Sequence, residues 1–191
     1  RNAAVLVLIG QGVPLLMAGD EFGNSQQGNN NCYCQDNPTG WVNWSGRKRN
    51  APYAKFVQQM LAFRRQHPIL RSSLPMKMYD YASKGYPDLS YHGENAWISS
   101  GNLCPHAAGI LYYGAYAKRP DGTEDDFLYI GLNFHIQPQS LALPKLPHRM
   151  RWYVAADTAD KATPFYETPK PVEKKHQIEL PAQAIVILVG K

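Results

Sequence analysis

The sequence is poor in cysteine, in charge and in long apolar runs. Its 191 residues include only three cysteines, Cys32, Cys34 and Cys104, and their spacing argues against a disulfide scaffold. Charged residues make up 18% of the chain, which argues against a disordered tail. No stretch reaches the ~18 apolar residues needed to span a membrane. We therefore expect a folded chain with free thiols, no membrane partner and a cytoplasmic location.

The basic residues are also too scattered to indicate a nucleic-acid partner. The net charge is +5, but the only tight clusters are Arg47-Lys48-Arg49 and Lys174-Lys175. Nucleic-acid binding requires a basic stripe with a matching motif, and the chain has neither. The Cys-x-Cys pair lacks the second ligand pair of a zinc site. No phosphate loop or Ser-His-Asp order is present either, so we expect no metal site and no cofactor.

Aromatic residues, in contrast, are abundant. They make up 12% of the chain, with 12 tyrosines and 4 tryptophans, while apolar residues make up 44%. The apolar fraction predicts a packed core. The aromatic excess is typical of a β-rich protein, a sugar-binding protein, or both.

One stretch, residues 11–44, organises the chain. The apolar run Val13–Met17 predicts a buried strand bounded by turn residues. Residues 19–44, rich in Gly, Asn, Gln and Ser, then form a segment too polar for a core and too long for a simple turn. Loops of this length inside compact domains are usually functional or disordered. The strand in front of it indicates an anchored, functional loop.

Helical patterns flank this stretch. Residues 2–10 resemble the end of a buried helix, and the apolar spacing over Pro52–Gln66 predicts an amphipathic helix with Asn50 as its cap. Helix, strand, loop and helix alternate as in a parallel α/β sheet or barrel. In such folds the loops after the strands build the active site, so the polar loop is expected on the functional face.

The pattern changes after Pro68 to short strands separated by proline-rich turns. We place a boundary near residues 68–75 and predict an antiparallel sandwich beyond it. The predicted strands are Met76–Tyr81, Ser90–His92, Ile110–Ala117, Phe127–Asn133, Gln139–Leu143, Arg151–Ala155, Gln177–Leu180 and Ala184–Val189.

Several motifs together resemble a known family. They are the run from Gly12 to Gly23, Gln27–Asn31, Tyr33–Asn37, Trp41–Trp44, Leu89–Gly93, and Leu132-Asn133 with Trp152 and Asp157-Thr158. The chain is similar to the bacterial glycogen debranching enzymes, the isoamylase- and pullulanase-type members of the α-amylase clan of glycoside hydrolases. Cys32 and the stretch from Trp97 to His106 depart from the family pattern.

The resemblance implies an α/β plus all-β architecture. Residues 1–68 would be the last strand, long loop and closing helix of a (β/α)8 barrel, and residues 69–191 an antiparallel β-sandwich domain. The implied reaction is retaining, metal-free hydrolysis of α-1,6 branch linkages in glycogen-like α-glucans, although some clan members carry structural calcium. The three catalytic carboxylates of the family lie on earlier barrel strands. We therefore expect a fragment of a longer polypeptide that is inactive alone and contains no catalytic residue.

The polar loop holds the candidate substrate-binding residues. They are Gln27, Asn29, Asn30, Asn31 and Tyr33. Amide side chains can match sugar hydroxyls as donors or acceptors, and a tyrosine ring offers a flat apolar face with a polar tip. The alternative is structural, because Asn side chains commonly bind neighbouring backbone groups.

Other residues are better explained by structural roles. Asp20 and Glu21 are adjacent, so in an extended segment they point to opposite faces and cannot flank one bond. Asp36 is expected to fasten the loop. The remaining aromatic and histidine candidates are assigned to loop wedging, the domain junction and core packing, rather than to a glycan platform or metal site. They are Trp41, Trp44, Tyr91, His92, Trp97, Tyr112, Tyr113 and Trp152.

Two alternatives remain open. One is that residues 69–191 act mainly as a glucan-binding module, and the other is that the parent is an α-1,4-acting hydrolase or transferase of the same clan. In each case the partner is an α-glucan such as glycogen, pullulan or a maltooligosaccharide. The other expected partner is the missing barrel portion of the polypeptide. Because a strand without neighbours exposes unpaired edges, we expect residues 1–45 to be partly mobile or to self-associate.

Overall fold

The computed structural model describes residues 1–97, 106–147, 149–174 and 176–191. Cys104, Lys175 and most of the unfamiliar stretch Trp97–His106 therefore lie outside the described residues. The helices are α1 (Asn2–Ile9), α2 (Ser45–Arg49) and α3 (Ala51–Gln66), with 3₁₀ turns at Asp20–Phe22, Pro68–Arg71 and Gly114–Tyr116. Helices α1 and α3 agree with the predictions, whereas the short α2 was not predicted.

Antiparallel β-structure dominates the rest of the chain, as predicted. The strands are β1 (Leu89–His92), β2 (Ala107–Tyr112), β3 (Phe127–Asn133), β4 (Gln139–Ala142), β5 (Trp152–Asp157), β6 (Phe165–Pro171), β7 (Gln177–Leu180) and β8 (Ala184–Gly190). Six of them form one sheet in the order β1-β2-β3-β8-β5-β6, and β4 pairs with β7 separately. Each strand pairing is antiparallel.

The central strands β3 and β8 bury side chains on both faces. Leu128 and Ile130 of β3 pack in the same cluster as residues of α1 and α3. Tyr129, between them, points to the opposite face and packs with Leu141 of β4 and Leu180 of β7. This alternation follows from the period of two in a strand. The six-stranded sheet is thus covered by helices on one face and by the β4–β7 pair on the other.

Helix α1 is fastened by side chains distant in sequence. Arg64 of α3 donates to the carbonyl oxygens of Leu8 and Gly10 at 2.7 Å and of Gly12 at 2.8 Å. The Arg64 guanidinium thereby satisfies carbonyl groups at the end of α1, which have no partner within that helix. Helices α1 and α3 share one core with the sheet, and the boundary near 68–75 stays a prediction.

The sandwich residues of the family resemblance also have structural contacts. The Asn133 amide donates to Pro181 O at 2.8 Å, and Trp152 Nε1 donates to Pro144 O at 3.0 Å. The Thr158 hydroxyl donates to Asn2 Oδ1 at 2.6 Å and accepts from Ile185 N at 2.8 Å. Thr158 thereby joins the ends of β5, β8 and α1.

The predicted buried strand over Val13–Met17 is wrong for this structure. The segment is extended but forms no ladder with the described strands, and Val13 and Leu15 are 96% and 89% exposed. A strand needs neighbouring strands for its hydrogen bonds, and an apolar run in the sequence does not supply them. The exposed side chains leave an apolar surface beside the polar loop.

The strand predicted over Met76–Tyr81 is also absent. Both Lys77 N and Met78 N donate to the buried Asp88 carboxylate at 2.8 Å, and Met78 has a φ of 59°. A left-handed residue cannot continue a strand. The carboxylate of Asp88 therefore replaces a strand partner as the acceptor for these two backbone N–H groups.

Strand β6 was not predicted, because it contains Pro169 and Pro171 and prolines in this part of the chain indicated turns. Proline cannot donate to a ladder and is tolerated at sheet edges. β6 is the edge strand next to β5, so its outer side needs no donors. Of the other predicted strands, Phe127–Asn133 and Gln177–Leu180 have the predicted bounds, and most of the rest differ by one or two residues. The strand predicted over Ile110–Ala117 is instead β2, because its second half forms the 3₁₀ turn Gly114–Tyr116.

Among the described residues, no helix combines the length and the hydropathy needed to cross a membrane. Cys32 and Cys34 are free thiols, as expected.

Candidate functional site

The amide loop, defined as residues 19–44, begins with a tight turn. Gly19 has a φ of 96°, and its N–H donates to the Glu21 carboxylate at 2.9 Å. The 3₁₀ turn Asp20–Phe22 follows and buries Phe22, which is 2% exposed. Glu21 thus has the structural role expected of it, because its carboxylate supports the turn.

Two asparagine side chains close the base of the amide loop. Asn43 N donates to Asn24 Oδ1 at 2.9 Å and joins the two ends of the loop. The Asn50 amide donates to Phe22 O at 2.7 Å. Asn50 lies at the N-cap of α3 as predicted, but it makes no side-chain cap bond there. Its side chain instead ties the loop to the helix.

Within the loop, Asn29 and Asn31 are used structurally. Asn31 N donates to Asn29 Oδ1 at 2.9 Å, and Tyr33 N donates to Asn31 Oδ1 at 3.1 Å. The Asn29 amide also donates to Gln35 Oε1 at 3.0 Å. These bonds are the local side-chain contacts that favour turns over regular structure. For these two candidates the structural alternative is therefore supported.

Gln27, Asn30 and Tyr33 are the candidates whose side chains remain available. All three are exposed, Tyr33 to 82%, and no hydrogen bond between their side chains and the described part of the chain is present. Gln27 has a φ of 54° and is fixed by a bond from its N–H to Ser25 Oγ at 3.0 Å. The backbone of this segment is therefore held while two amides and one phenol ring face solvent.

The tryptophans of the loop are more exposed than a wedging role requires. Trp41 is 55% exposed, and its indole N–H donates to Asp36 Oδ1 at 2.8 Å. Asp36 thus fastens the loop as expected. Trp44 is 67% exposed and lies 5.7 Å from the Phe22 ring, between ring centroids. Each indole ring is therefore held by a neighbouring side chain, while more than half of its surface is exposed to solvent.

The tryptophan and tyrosines considered as a second glycan platform are mostly buried. Tyr112, Tyr113 and Trp152 are 4%, 5% and 5% exposed, so core packing is their role. Trp97 differs: it is 44% exposed and stacks on Tyr86 with ring centroids 5.0 Å apart. A platform built from the three buried rings is excluded.

His92 is fully buried and neutral. Trp97 N donates to His92 Nδ1 at 3.0 Å, so Nε2 carries the proton and donates to Ser90 Oγ at 2.9 Å. Burial lowers the pKa of His92 from 6.5 to about 4, because the charged form is penalised away from water. With both ring nitrogens engaged, His92 has no lone pair free for a metal.

An ionic network that the sequence analysis missed fastens the end of α3. His67 Nδ1 lies 2.8 Å from Asp125 Oδ1, and Ile69 N donates to Asp125 Oδ2 at 3.0 Å. His67, Asp125 and Asp126 are close enough to hold a metal ion, but the Arg119 guanidinium already bonds Asp125 at 3.2 Å and Asp126 at 2.7 Å. The group acts as an ion-pair junction. His67 and Asp125 lie 58 positions apart in the sequence, so no local pattern indicated their contact.

Comparisons with known proteins were made for the whole chain. No protein-family model matches it. A glycogen operon protein GlgX homolog from Mycobacterium tuberculosis is 25% identical over 98% of this chain and 27% of its own length. The isoamylase of Pseudomonas amyloderamosa is 28% identical over 84% of this chain and 20% of its length. The glycogen debranching enzyme of Dickeya chrysanthemi is 48% identical over 34% of this chain and 10% of its length.

Solved structures with a similar fold include two pullulanases. The pullulanase from Bacillus acidopullulyticus superposes with a TM-score of 0.69, at 18% identity, over 98% of this chain and 20% of that one. Pullulanase type I from Bacillus subtilis, complexed with maltose, gives 0.68 at 17% identity, over 98% and 22%. At these identities the structures show a shared fold alone.

The comparisons confirm the resemblance to the glycogen debranching enzymes. The matched region is the C-terminal part of the relatives, and the chain spans 27% or less of the length of those named above.

Proposed function

We propose that this chain is the C-terminal portion of a hydrolase that cleaves α-1,6 branch linkages in α-glucans, and that its amide loop forms a wall of the substrate cleft. The names of the relatives support the reaction: isoamylase and glycogen debranching enzyme. Two pullulanases with this fold bind maltose and maltotetraose. The catalytic carboxylates would lie in the rest of the polypeptide, so the chain alone is expected to be inactive.

One observation carries the role of the loop. Its backbone is fixed by its own asparagines, while the side chains of Gln27, Asn30 and Tyr33 remain exposed and form no hydrogen bond with the described residues. A fixed backbone with available amides suits sugar recognition, because the binding residues are already ordered before the ligand arrives. Asn29 and Asn31 would contribute by holding this geometry.

The exposed apolar segment beside the loop supports the proposed barrel origin of residues 1–68. Val13, Leu15 and Met17 are 96%, 89% and 55% exposed, and the segment is extended without a strand partner among the described residues. Neighbouring parallel strands of a barrel would supply its missing hydrogen bonds and cover these side chains. Residues 69–191 would then brace the barrel as a second domain, in a cytoplasmic enzyme.

The test uses the complete polypeptide with a branched glucan and pullulan as substrates. We expect debranching activity, and a loss of about tenfold in kcat/KM for Tyr33→Ala, because one stacking contact is removed. Tyr79→Ala is the matched control, since Tyr79 is 57% exposed but lies outside the loop. Its kcat/KM should stay within about twofold of the unmodified enzyme.

The outcomes separate the parts of the proposal. No debranching by a well-folded complete polypeptide would refute the reaction. Equal effects of the two tyrosine substitutions would refute the role of the amide loop. If linear oligosaccharides are released while the α-1,6 branch points stay intact, the enzyme acts on α-1,4 linkages instead.

A further inference from the structure

A second cleft lies on the sandwich, away from the amide loop. It has a volume of ≈ 630 Å³ and is bounded by the segment before β5 and the segment between β6 and β7. This volume falls in the range of small-molecule sites, ~300–1,000 Å³. Residues of the amide loop do not line it. Its floor is apolar and includes Leu146, Met150, Trp152 and Val172.

The floor is part of the core rather than a loose surface. Leu146, Met150 and Val172 are half-buried and pack against the cluster that contains Trp152. The Trp152 indole N–H is satisfied by Pro144 O at 3.0 Å. The floor therefore offers a fixed apolar surface suited to the flat or ring-shaped body of a small molecule.

The rim of the cleft is strongly basic. Four exposed cations line it, Lys145, Arg149, Arg151 and Lys174, against the single carboxylate of Glu173. In the described part of the chain none of the four cations forms a salt bridge, whereas Lys84 and Arg119 elsewhere do. Like charges gathered around one opening repel each other and raise the local attraction for an anion.

The backbone at the rim is also unusual. Arg149 has a φ of 72°, a left-handed conformation that is unfavourable for a residue with a side chain. Non-glycine residues held in such conformations cluster at ligand sites, where the surrounding structure fixes them. This conformation positions a cation at the opening of the cleft.

We propose that this cleft binds an organic phosphate: a small metabolite whose phosphate is held by the rim cations and whose ring packs on the apolar floor. Guanidinium groups pair with phosphate through charge-assisted, often bidentate hydrogen bonds. A neutral glucan carries no charged group that these four rim cations would select. The cations surround one cavity instead of following a stripe, which favours a small anion over a nucleic-acid strand. The site is separate from the proposed glucan cleft and does not depend on it.

The experiment is calorimetric titration of the chain with adenosine monophosphate and with glucose 6-phosphate. Inorganic phosphate probes the cationic rim alone, and adenosine probes the apolar floor alone. We expect at least one organic phosphate to bind about tenfold more tightly than inorganic phosphate or adenosine alone, because it contacts both the rim cations and the apolar floor. Binding should weaken when salt is raised, because the rim cations are exposed.

Charge reversal at the rim identifies the site. The double substitution Arg149→Glu with Lys174→Glu should weaken binding of the organic phosphate by about tenfold or more. Lys48→Glu with Arg49→Glu is the matched control, because both residues are exposed on α2 and neither lines the cleft. If the first pair fails to fold by near-ultraviolet circular dichroism, Lys145→Glu with Arg151→Glu replaces it.

Three results would overturn the proposal. The first is no binding of either organic phosphate. The second is equal binding of inorganic phosphate, which would mean an unspecific basic surface. The third is equal weakening by the rim and control pairs.

Discussion

The sheet and the amide loop are ordered by different hydrogen bonds. In the sheet, backbone groups pair with each other along antiparallel ladders, and side chains such as Leu128 and Ile187 are fully buried. In the loop, asparagine side chains bind nearby backbone groups, and most side chains remain exposed. The sheet is stabilised by the burial of apolar side chains, whereas the hydrogen bonds of the loop mainly fix its backbone conformation. A region can therefore be well ordered for binding while adding little to the free energy of unfolding.

The largest expected effect comes from comparing a leucine-to-alanine substitution in the sheet with the same substitution in the exposed segment before the loop. Leu128→Ala in β3 should lower the free energy of unfolding by about 2–5 kcal/mol, because it leaves a cavity in a packed core. Leu15→Ala, at a side chain 89% exposed, should change it by less than about 0.5 kcal/mol. Urea unfolding of both variants gives the comparison. Similar losses would mean that residues 13–17 are packed in solution.

The pH dependence of stability tests the burial of His92. Its pKa is lowered to about 4 in the folded chain, from 6.5 when exposed, so the unfolded chain binds more protons between these values. Stability should therefore fall as pH decreases from 6.5 to 4, by on the order of 2 kcal/mol.

His92→Gln should flatten this part of the profile, while His176→Gln, at an exposed histidine, should leave it unchanged. Urea unfolding at several pH values provides the measurement. A slope that persists in His92→Gln would assign the titration to another group.

The smallest expected effect concerns the loop itself. Asn24→Ala removes the acceptor for Asn43 N and should loosen the loop by about 1 kcal/mol, with little change in global stability. Hydrogen exchange of residues 24–43 should quicken severalfold. Asn30→Ala is the matched control, because no hydrogen bond of its side chain is present within the described residues. Equal exchange in the two variants would show that the base of the loop is held by other contacts.

The elements with strong local patterns were predictable. The period of α3 and the apolar runs of β3 and β8 are visible in the sequence, and their bounds agree with the structure to within a residue or two. The failures share a cause, since each depends on a partner distant in sequence. Val13–Met17 has no neighbouring strand in the part of the chain that the structure describes, Met78 is held by Asp88, and the prolines of β6 are tolerated because the strand lies at an edge.

For the candidate site, residue types were predictable but individual roles were not. The density of Asn and Gln in residues 19–44 indicated a polar, ordered loop. It did not distinguish Asn29 and Asn31, which bind the loop itself, from Asn30, which faces solvent. Adjacent asparagines have the same donors and acceptors, so only the path of the backbone decides which of them is used internally.

By itself, the sequence determined the short strands between turn residues, the amphipathic helix α3 and the polarity of the amide loop, because these follow from neighbouring residues. Only the tertiary structure decided which side chains are available at the surface. It pairs Asn24 with Asn43, Arg64 with the end of α1 and His67 with Asp125, and it gathers four cations around one cleft. Such contacts depend on how distant segments pack, and local sequence patterns do not encode that packing.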